Sequence, residues 1–402
     1  MPLPDQNENT LDCGSYVDSD DEVNIEDEAE AIEQYFSEAP YFPVLIGQVL
    51  NQRYRIEHKL GHGGFSTVWM AYDMQTTTGV ALKIAVAGAG GEKERWIQDE
   101  IRHSVQSPSR LVLYQHFFYV SSHRGNHLVL VLPVCGPSLN VRLRQASMAA
   151  RMSAAWQLLQ ALGDIHSSGF VHRDLSTSNV MWGMASLDNL DTNQKYQHLG
   201  RPEKMKIIAP DGWAILHSGW RADLVKAVVV PESLIRGNVY LSDFGLAIRN
   251  GTSVDRKLQT PARFCAPERF HNVDPTPASD MWSFMCIFAQ LVLGWSPFPG
   301  TGAPTVMGSI VGRLGPLPRH WKGSYNAGEG EDWWYDHQQP QGRREPLHQY
   351  IDRVRPGMGR VERDLVQSVL SIGFCYLPES RLSALQLLDN VSFRTLLSFY
   401  TS

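Results

Sequence analysis

Apolar and polar positions alternate along RYRIEHKL, residues 53–60, and again along STVWMAYD, residues 66–73, the period-two pattern of strands with one buried face. A third short strand is expected over VALKIA, residues 80–85. A fourth, apolar throughout and ended by proline, is expected over HLVLVLPV, residues 127–134. In the charged stretch from about 92 to 105 the spacing changes, and Trp96, Ile97, Ile101 and Val105 recur at helical intervals. Beyond Met148 helical signals dominate, among them MWSFMCIFAQLVLG, residues 281–294, which reads as a buried helix. A strand-rich first part followed by a helix-rich second part predicts an α+β fold of two lobes with a cleft between them.

Composition allows this reading and excludes others. At 402 residues with 43% hydrophobic content, the chain can bury a large core, enough for one two-lobed unit with a tail or for two small domains. The five cysteines, Cys13, Cys135, Cys265, Cys286 and Cys375, show neither CxxC spacing nor a companion histidine pattern. No disulfide framework or zinc site is expected, and an intracellular setting, cytoplasm or nucleus, is. The opening MPLPDQNENT has no charged-then-apolar signal, and the longest apolar stretch falls short of the roughly 20 residues a membrane helix needs. No membrane association is expected, no nucleic-acid motif is present, and a monomer is the expected state.

Charge is unevenly placed. Residues 1–40 carry 13 Asp and Glu and no Lys or Arg, so removing them from the net charge of −6 leaves +7 on the remainder. A run such as DSDDEVNIEDEAE repels itself and buries too little apolar surface to offset its ordering entropy. Residues 1–38 are therefore expected to form a disordered acidic tail, either merely solvating or masking a basic face of the adjoining domain.

Candidate chemistry begins at LGHGGFSTVW, residues 60–69. Gly61, Gly63 and Gly64, between two expected strands, would let backbone N–H groups approach a triphosphate closely, although a plain Gly-rich hairpin turn has the same look. Ser66 stands where the GxGxxG form has its third glycine. Lys83, on the next strand but one, could reach phosphate oxygens. Glu100, 17 residues downstream in QDEI, could hold that lysine by an ion pair, with Glu92 and Glu94 as competitors.

The second part adds HRDLSTSN, residues 172–179, in which His172, Arg173, Asp174 and Asn179 match HRDxxxxN. In that pattern the Asp orients and accepts the proton of an attacking hydroxyl, and the Asn binds magnesium. Asp243 of Ser-Asp-Phe-Gly supplies a second magnesium ligand, Ala266-Pro267-Glu268 comes 25 residues later, Asp280 opens the apolar helix, and Arg381 is placed to pair with Glu268. Taken in this order, these segments resemble the eukaryotic protein kinases over residues 41–398. The entry segment YFPVLIGQVLNQRYRIEHKLGHGGFSTVWMAYD, residues 41–73, is similar to that of the SR-protein kinases. That group also carries a spacer where this chain runs 64 residues from Asn179 to Asp243 against the usual dozen or so.

The resemblance implies a small β-rich N-lobe and a larger helical C-lobe, with an insertion between the catalytic loop and the Asp-Phe-Gly segment. Expected domains are the tail to residue 38, N-lobe and hinge over 39–135, and C-lobe over 136–398 including a spacer at about 183–237. The TNQKYQHLGRPEKMK part of the spacer is expected to be mobile, while DGWAILHSGW and DLVKAVVV pack locally. The resemblance further implies ATP and Mg2+ as cofactors. Adenine would meet the Pro133 carbonyl and the Cys135 N–H, Leu132 would guard the back of the pocket, and Val68 and Ala81 would form its roof. Arg173 would pair either with a phosphate, for which Thr252, Ser253 and Thr260 are candidates, or with nothing modified.

Departures from the pattern leave alternatives open. Ser176 stands where most Ser/Thr kinases have a lysine that neutralises the transferring phosphoryl group, Pro261 stands at the usual threonine, and Cys265 replaces an arginine. Pro261 resembles tyrosine kinases, but the arginine their catalytic loop carries is missing. The expected function is an ATP-dependent protein serine/threonine kinase acting on protein substrates, with Ser/Arg-rich proteins among the candidates. The alternatives are a pseudokinase scaffold that binds nucleotide and a kinase-fold enzyme for small molecules. EGEDWWYD, residues 329–336, is the local candidate for gripping a basic substrate, or a solvated loop.

Overall fold

In a computed structural model, which describes residues 12–17, 29, 31–35, 40–88, 90–122, 125–207, 223–325, 332–338 and 345–401, the alternating stretches become strands close to their expected bounds. Along the chain come β1 (Ser15–Tyr16), β2 (Val49–Leu50), β3 (Tyr54–Gly63), β4 (Ser66–Asp73), β5 (Thr78–Ala85), helix α1 (Gly90–Ser104), β6 (His116–Ser122) and β7 (Gly125–Pro133). Six of these strands build an antiparallel sheet in the order β2-β3-β4-β5-β7-β6. Its buried face carries Tyr54, Ile56, Trp69, Ala71, Leu82, Ile84, Val129 and Val131, every second residue of its strand, as a half-buried sheet requires. Tyr54 stacks on Phe118 with ring centroids 5.2 Å apart. Burial of each large side chain contributes ~1.5–3 kcal/mol, so this alternation sets the register.

The chain then forms α2 (Met148–Ser167), β8 (Phe170–Val171) and β9 (Val180–Met184), followed by the insertion with α3 (Thr192–Leu199), β10 (Glu203–Lys206) and β11 (Asp223–Val225). β12 (Ile235–Leu241) returns to pair with β9, and β13 (Ile248–Arg249) pairs with β8. The insertion thus leaves and rejoins a single two-stranded ladder, with hydrogen bonds at one end from Ala185 N to Leu234 O (2.8 Å) and at the other from Ser242 N to Asn179 O (2.9 Å). Because its two ends are adjacent, 50 or so extra residues leave the ladder beyond them undisturbed.

Two compact units result. The first comprises the described residues of Met1–Trp96, Leu113–Gly136 and Met184–Arg236, and the second those of Ile97–Val112, Pro137–Gly183 and Gly237–Ser402. This corrects two expected boundaries: the insertion belongs with the sheet of the first unit, and residues 97–112 cluster with the helical second. The reason is apolar contact. Leu187, Leu199 and Leu234 pack with Met70 of β4, while Met205, Ile207 and Leu224 pack with Tyr35, Tyr41 and Val86.

Ion pairs reinforce the same packing. Lys195 of α3 reaches Glu57 of β3 at 2.6 Å with both side chains buried, and Lys204 reaches Asp223 at 3.2 Å. The stretch expected to be mobile is therefore a helix and a strand. Asp191 caps α3 by accepting from Gln194 N, and the Gln194 side chain caps back. The segment DGWAILHSGW lies outside the described residues. The expected tail disorder is likewise corrected where the structure describes it: β1 pairs in parallel with β10 in a three-stranded sheet ordered β1-β10-β11, and Ile32–Tyr35 forms a 3-10 turn.

In the second unit the apolar run becomes helix α4 (Pro277–Leu293), with Pro277 in its first turn and Gly294 ending it at φ +79°. Trp282 of α4 stacks on Phe298 (5.5 Å) and meets Phe374 edge-on (5.1 Å). Glu268 and Arg381, the expected partners, form a bidentate pair with both contacts at 2.6 Å and both side chains buried. The residues 329–336 candidate is a tethered turn where it is described. Trp334 and Tyr335 are buried, and Tyr335 Oη contacts His271 Nε2 at 2.7 Å, while residues 329–331 lie outside the described residues.

Candidate active site

The first unit carries the glycine hairpin. Gly61 pairs with Val68 and Gly63 with Ser66 across β3 and β4, and Tyr41 Oη donates to the Gly63 carbonyl at 2.6 Å. A Cβ added at Gly61, Gly63 or Gly64 would meet no atom within 4 Å. The protein's own packing therefore does not demand glycine here, and the bare backbone is left open to close approach by a ligand. Val68 faces Lys83 across the next ladder, and Ala81 faces Leu132. Pro133 ends β7, and burial pushes the Cys135 thiol up to about 11, which keeps it protonated.

Lys83 corrects an expectation. Its Nζ contacts both carboxylate oxygens of Glu94, at 2.9 and 2.8 Å, whereas Glu100 binds Arg249 at 2.9 Å. The cause is helix register. Glu94, Ile97 and Ile101 stand at i, i+3 and i+7 of α1 and are all buried, so Glu94 shares the inward stripe, while Glu100 is part exposed.

The second unit holds the HRDLSTSN loop, residues 172–179. Asp280, buried at the start of α4, accepts from His172 N (2.7 Å) and Arg173 N (3.0 Å), pinning the loop by its backbone. Asn179 Nδ2 donates to Asp174 Oδ2 at 2.9 Å and to the Asp174 carbonyl at 2.8 Å, fixing the carboxylate. The Asn179 carbonyl accepts from both the N–H and the hydroxyl of Ser242, which places Asn179 beside the residue preceding Asp243. Asp243 is exposed and sits at φ +62°, while the next residue, Phe244, is fully buried 5.3 Å from the His172 ring.

Such an arrangement fits Mg2+. Among the described residues no group of three or more His, Cys, Asp and Glu could hold a metal alone. One carboxylate and one amide are the partial set that magnesium takes when phosphate oxygens complete its shell.

Arg173 is already engaged. At φ +69° its guanidinium donates to Leu246 O (3.1 Å), Arg256 O (3.1 Å) and Gln259 Oε1 (2.7 Å). Thr260, weighed as a phosphate acceptor, instead donates its hydroxyl to the Arg173 carbonyl. Thr260 is thus a brace and not a phosphate site, and Gln259 is a brace that sequence reading missed, since nothing in its spacing marks it. Ser176 is buried (4%), so the position of the usual lysine is filled by a short side chain packed within the loop. Cys265 is buried as well, its thiol pushed up to about 12.

Known proteins resemble this chain over most of its length. The protein kinase domain model matches residues 54–191 and 229–392, omitting most of the insertion. The chain is 29% identical over 209 residues to serine/threonine-protein kinase spk-1 of Caenorhabditis elegans, covering 48% of this chain and 20% of that protein. It is 31% identical over 174 residues to human SRSF protein kinase 3, covering 40% and 30%. With serine/threonine-protein kinase SRPK of Physarum polycephalum it shares 27% identity over 312 residues, covering 70% and 68%. The chain therefore spans under a third of the length of the nematode and human relatives. A crystal structure of a kinase domain superposes with a TM-score of 0.62 at 18% identity, over 88% of this chain and 98% of the other. With the family model covering most of its length, the chain belongs to the protein kinase family.

Proposed function

We propose that the chain is an ATP- and Mg2+-dependent protein serine/threonine kinase of the SR-protein-kinase type. The observation that carries this reading is the pinned catalytic loop, in which Asp174 is fixed by Asn179 while Asp280 holds the backbone on which it stands. A carboxylate so positioned orients a substrate hydroxyl and accepts its proton as the oxygen attacks. In the first unit, Lys83 and the N–H groups of the hairpin at Gly61, Gly63 and Gly64 grip phosphates. Val68, Ala81 and Leu132 contact the base, with Pro133 O and Cys135 N as its polar partners. Asn179 and Asp243 would hold magnesium, which when bound neutralises charge on the phosphate oxygens.

Ser176 favours a second reading, a scaffold that binds nucleotide with little transfer, because its short buried side chain cannot act as the missing cation. Single-turnover transfer from radiolabelled ATP with magnesium separates the two. The acceptors are an Arg-Ser peptide, a generic basic protein and a Tyr-containing polymer, with Asp174→Asn as the blank. Transfer to serine that Asp174→Asn and Asp243→Ala both abolish is the expected result. Nucleotide binding without transfer to any acceptor would establish the scaffold.

A further inference from the structure

Residues 12–17 lie along the free edge of β10, and the contacts there read sequence. Main-chain bonds run from Ser15 N to Pro202 O (2.9 Å) and from Val17 N to Lys204 O (3.1 Å), in the parallel register Ser15 to Glu203 and Tyr16 to Lys204. Three side-chain positions add selectivity. Asp12 Oδ1 accepts from Arg201 (2.7 Å) and from the N–H of its own Gly14 (3.0 Å), while the Asp12 carbonyl accepts from Tyr196 Oη (3.0 Å). Gly14 stands at φ +83°, and a Cβ there would lie 2.4 Å from the Pro202 oxygen, so only glycine fits. Tyr16 Oη donates to the buried Asp223 carboxylate at 3.1 and 3.3 Å, and its ring lies 4.5 Å from Lys204 Nζ and 5.3 Å from Lys206 Nζ.

The receiving surface does not depend on the segment it receives. β10 and β11 pair with each other, Met205 and Leu224 are buried in the first unit, and α3 is anchored through Lys195 and Glu57. The docked strand is by contrast two residues long, and Tyr16 keeps 51% of its surface exposed. So short an edge strand, flanked by the part-buried Cys13 and Val17 that pack on the sheet core and on the Met205 and Leu224 cluster, comes off without breaking the β10–β11 pairing beneath it.

We propose that the β10 edge of the insertion is a docking site for extended peptides of the pattern Asp-x-Gly-x-Tyr, filled in this structure by the chain's own residues 12–16. Strand addition supplies the main-chain bonds, and Arg201, Pro202 and Asp223 supply the selection. A partner protein carrying the same pattern in an extended segment binds by displacing the chain's own strand, so the insertion serves as a recognition element separate from the phosphoryl-transfer residues.

The test is fluorescence anisotropy with a labelled peptide of residues 9–20 bearing Cys13→Ser, added to the full chain. Loss of the tethered competitor exposes the site, so the Gly14→Val/Tyr16→Phe chain binds this peptide at least ~10-fold more tightly than the unaltered chain. Adding Arg201→Glu and Asp223→Asn removes that binding, and a peptide carrying Gly14→Val fails to compete. Because variants at Asp223 could unfold the receptor, hydrogen exchange on the unaltered chain gives an independent reading. Amides of Ser15 and Val17 exchange slowly and are accelerated by excess peptide, while that of Val225 is not. Equal peptide affinity for the unaltered and Gly14→Val/Tyr16→Phe chains, or unprotected Ser15 and Val17 amides, would overturn the proposal.

Discussion

Lys83 and Glu94 form a two-point ion pair, its lysine Nζ within 2.9 Å of both carboxylate oxygens and both side chains largely buried. Removing the carboxylate leaves the ammonium without the partner that orients it. A charged hydrogen bond of this kind is worth on the order of 1–3 kcal/mol, so Glu94→Gln is expected to lower kcat/KM for ATP ~10- to 100-fold. Glu100→Gln releases only the part-exposed contact to Arg249 and is expected to cost less. Steady-state kinetics of the two variants checks this, and a larger loss in Glu100→Gln would show that Lys83 works with the other carboxylate.

The three acceptors on Arg173, two backbone carbonyls and the Gln259 amide, tie it to residues 246–259, the segment that carries Thr252 and Ser253. Transfer by the Thr252→Ala/Ser253→Ala chain should therefore stay within ~2-fold of the unaltered rate, the usual reach of surface substitutions. Intact mass of the active protein, measured beside the rate, should show no phosphate on the segment. A requirement for one would appear as loss of activity on phosphatase treatment.

The Glu57–Lys195 pair joins β3 to the insertion with both side chains buried, at 2.6 Å. Lys195→Met leaves Glu57 to the part-exposed Arg55, 3.0 Å away, and should cost ~1.5–3 kcal/mol of stability, whereas Lys195→Met/Glu57→Leu should recover part of it. Urea denaturation of the single and double variants measures the difference. Equal stability of both variants and the unaltered chain would mean that this ion pair contributes nothing.

Acid should weaken the first unit through His58. Burial holds this imidazole down to about 4 from its ordinary 6.5, and its Nδ1 accepts the Lys59 N–H at 2.9 Å. Between those values the unfolded chain binds the proton and the folded chain does not, so stability falls as pH drops from 6.5 towards 4, by on the order of 3 kcal/mol. Unfolding free energies across this range should fall less steeply for His58→Gln, and parallel slopes would exclude His58 as a source.

Much of this molecule could be read from the chain alone. Alternation in residues 53–60 and 66–73 and the continuous apolar run at 281–294 are local signals, and the strands and helix they predict are present. The order of the glycine cluster, Asp174, Asn179, Asp243 and Glu268 likewise gave the fold class, because those residues act in fixed succession along the chain. Tertiary structure alone decided between Glu94 and Glu100. The two stand about 240° apart around a helix, and only their burial in the fold shows which side turns inward. It also decided that TNQKYQHLGRPEKMK folds: its lysines look solvated in sequence, and their partners Glu57 and Asp223 lie 138 and 19 residues away. Tyr16 finds Asp223 across 207 residues, a contact no local pattern encodes. An acidic, polar composition measures how little apolar surface a segment can bury by itself. It does not register the buried carboxylates and lysines that another segment can offer, and that is why residues 12–17 and the described part of the insertion were settled only by the fold.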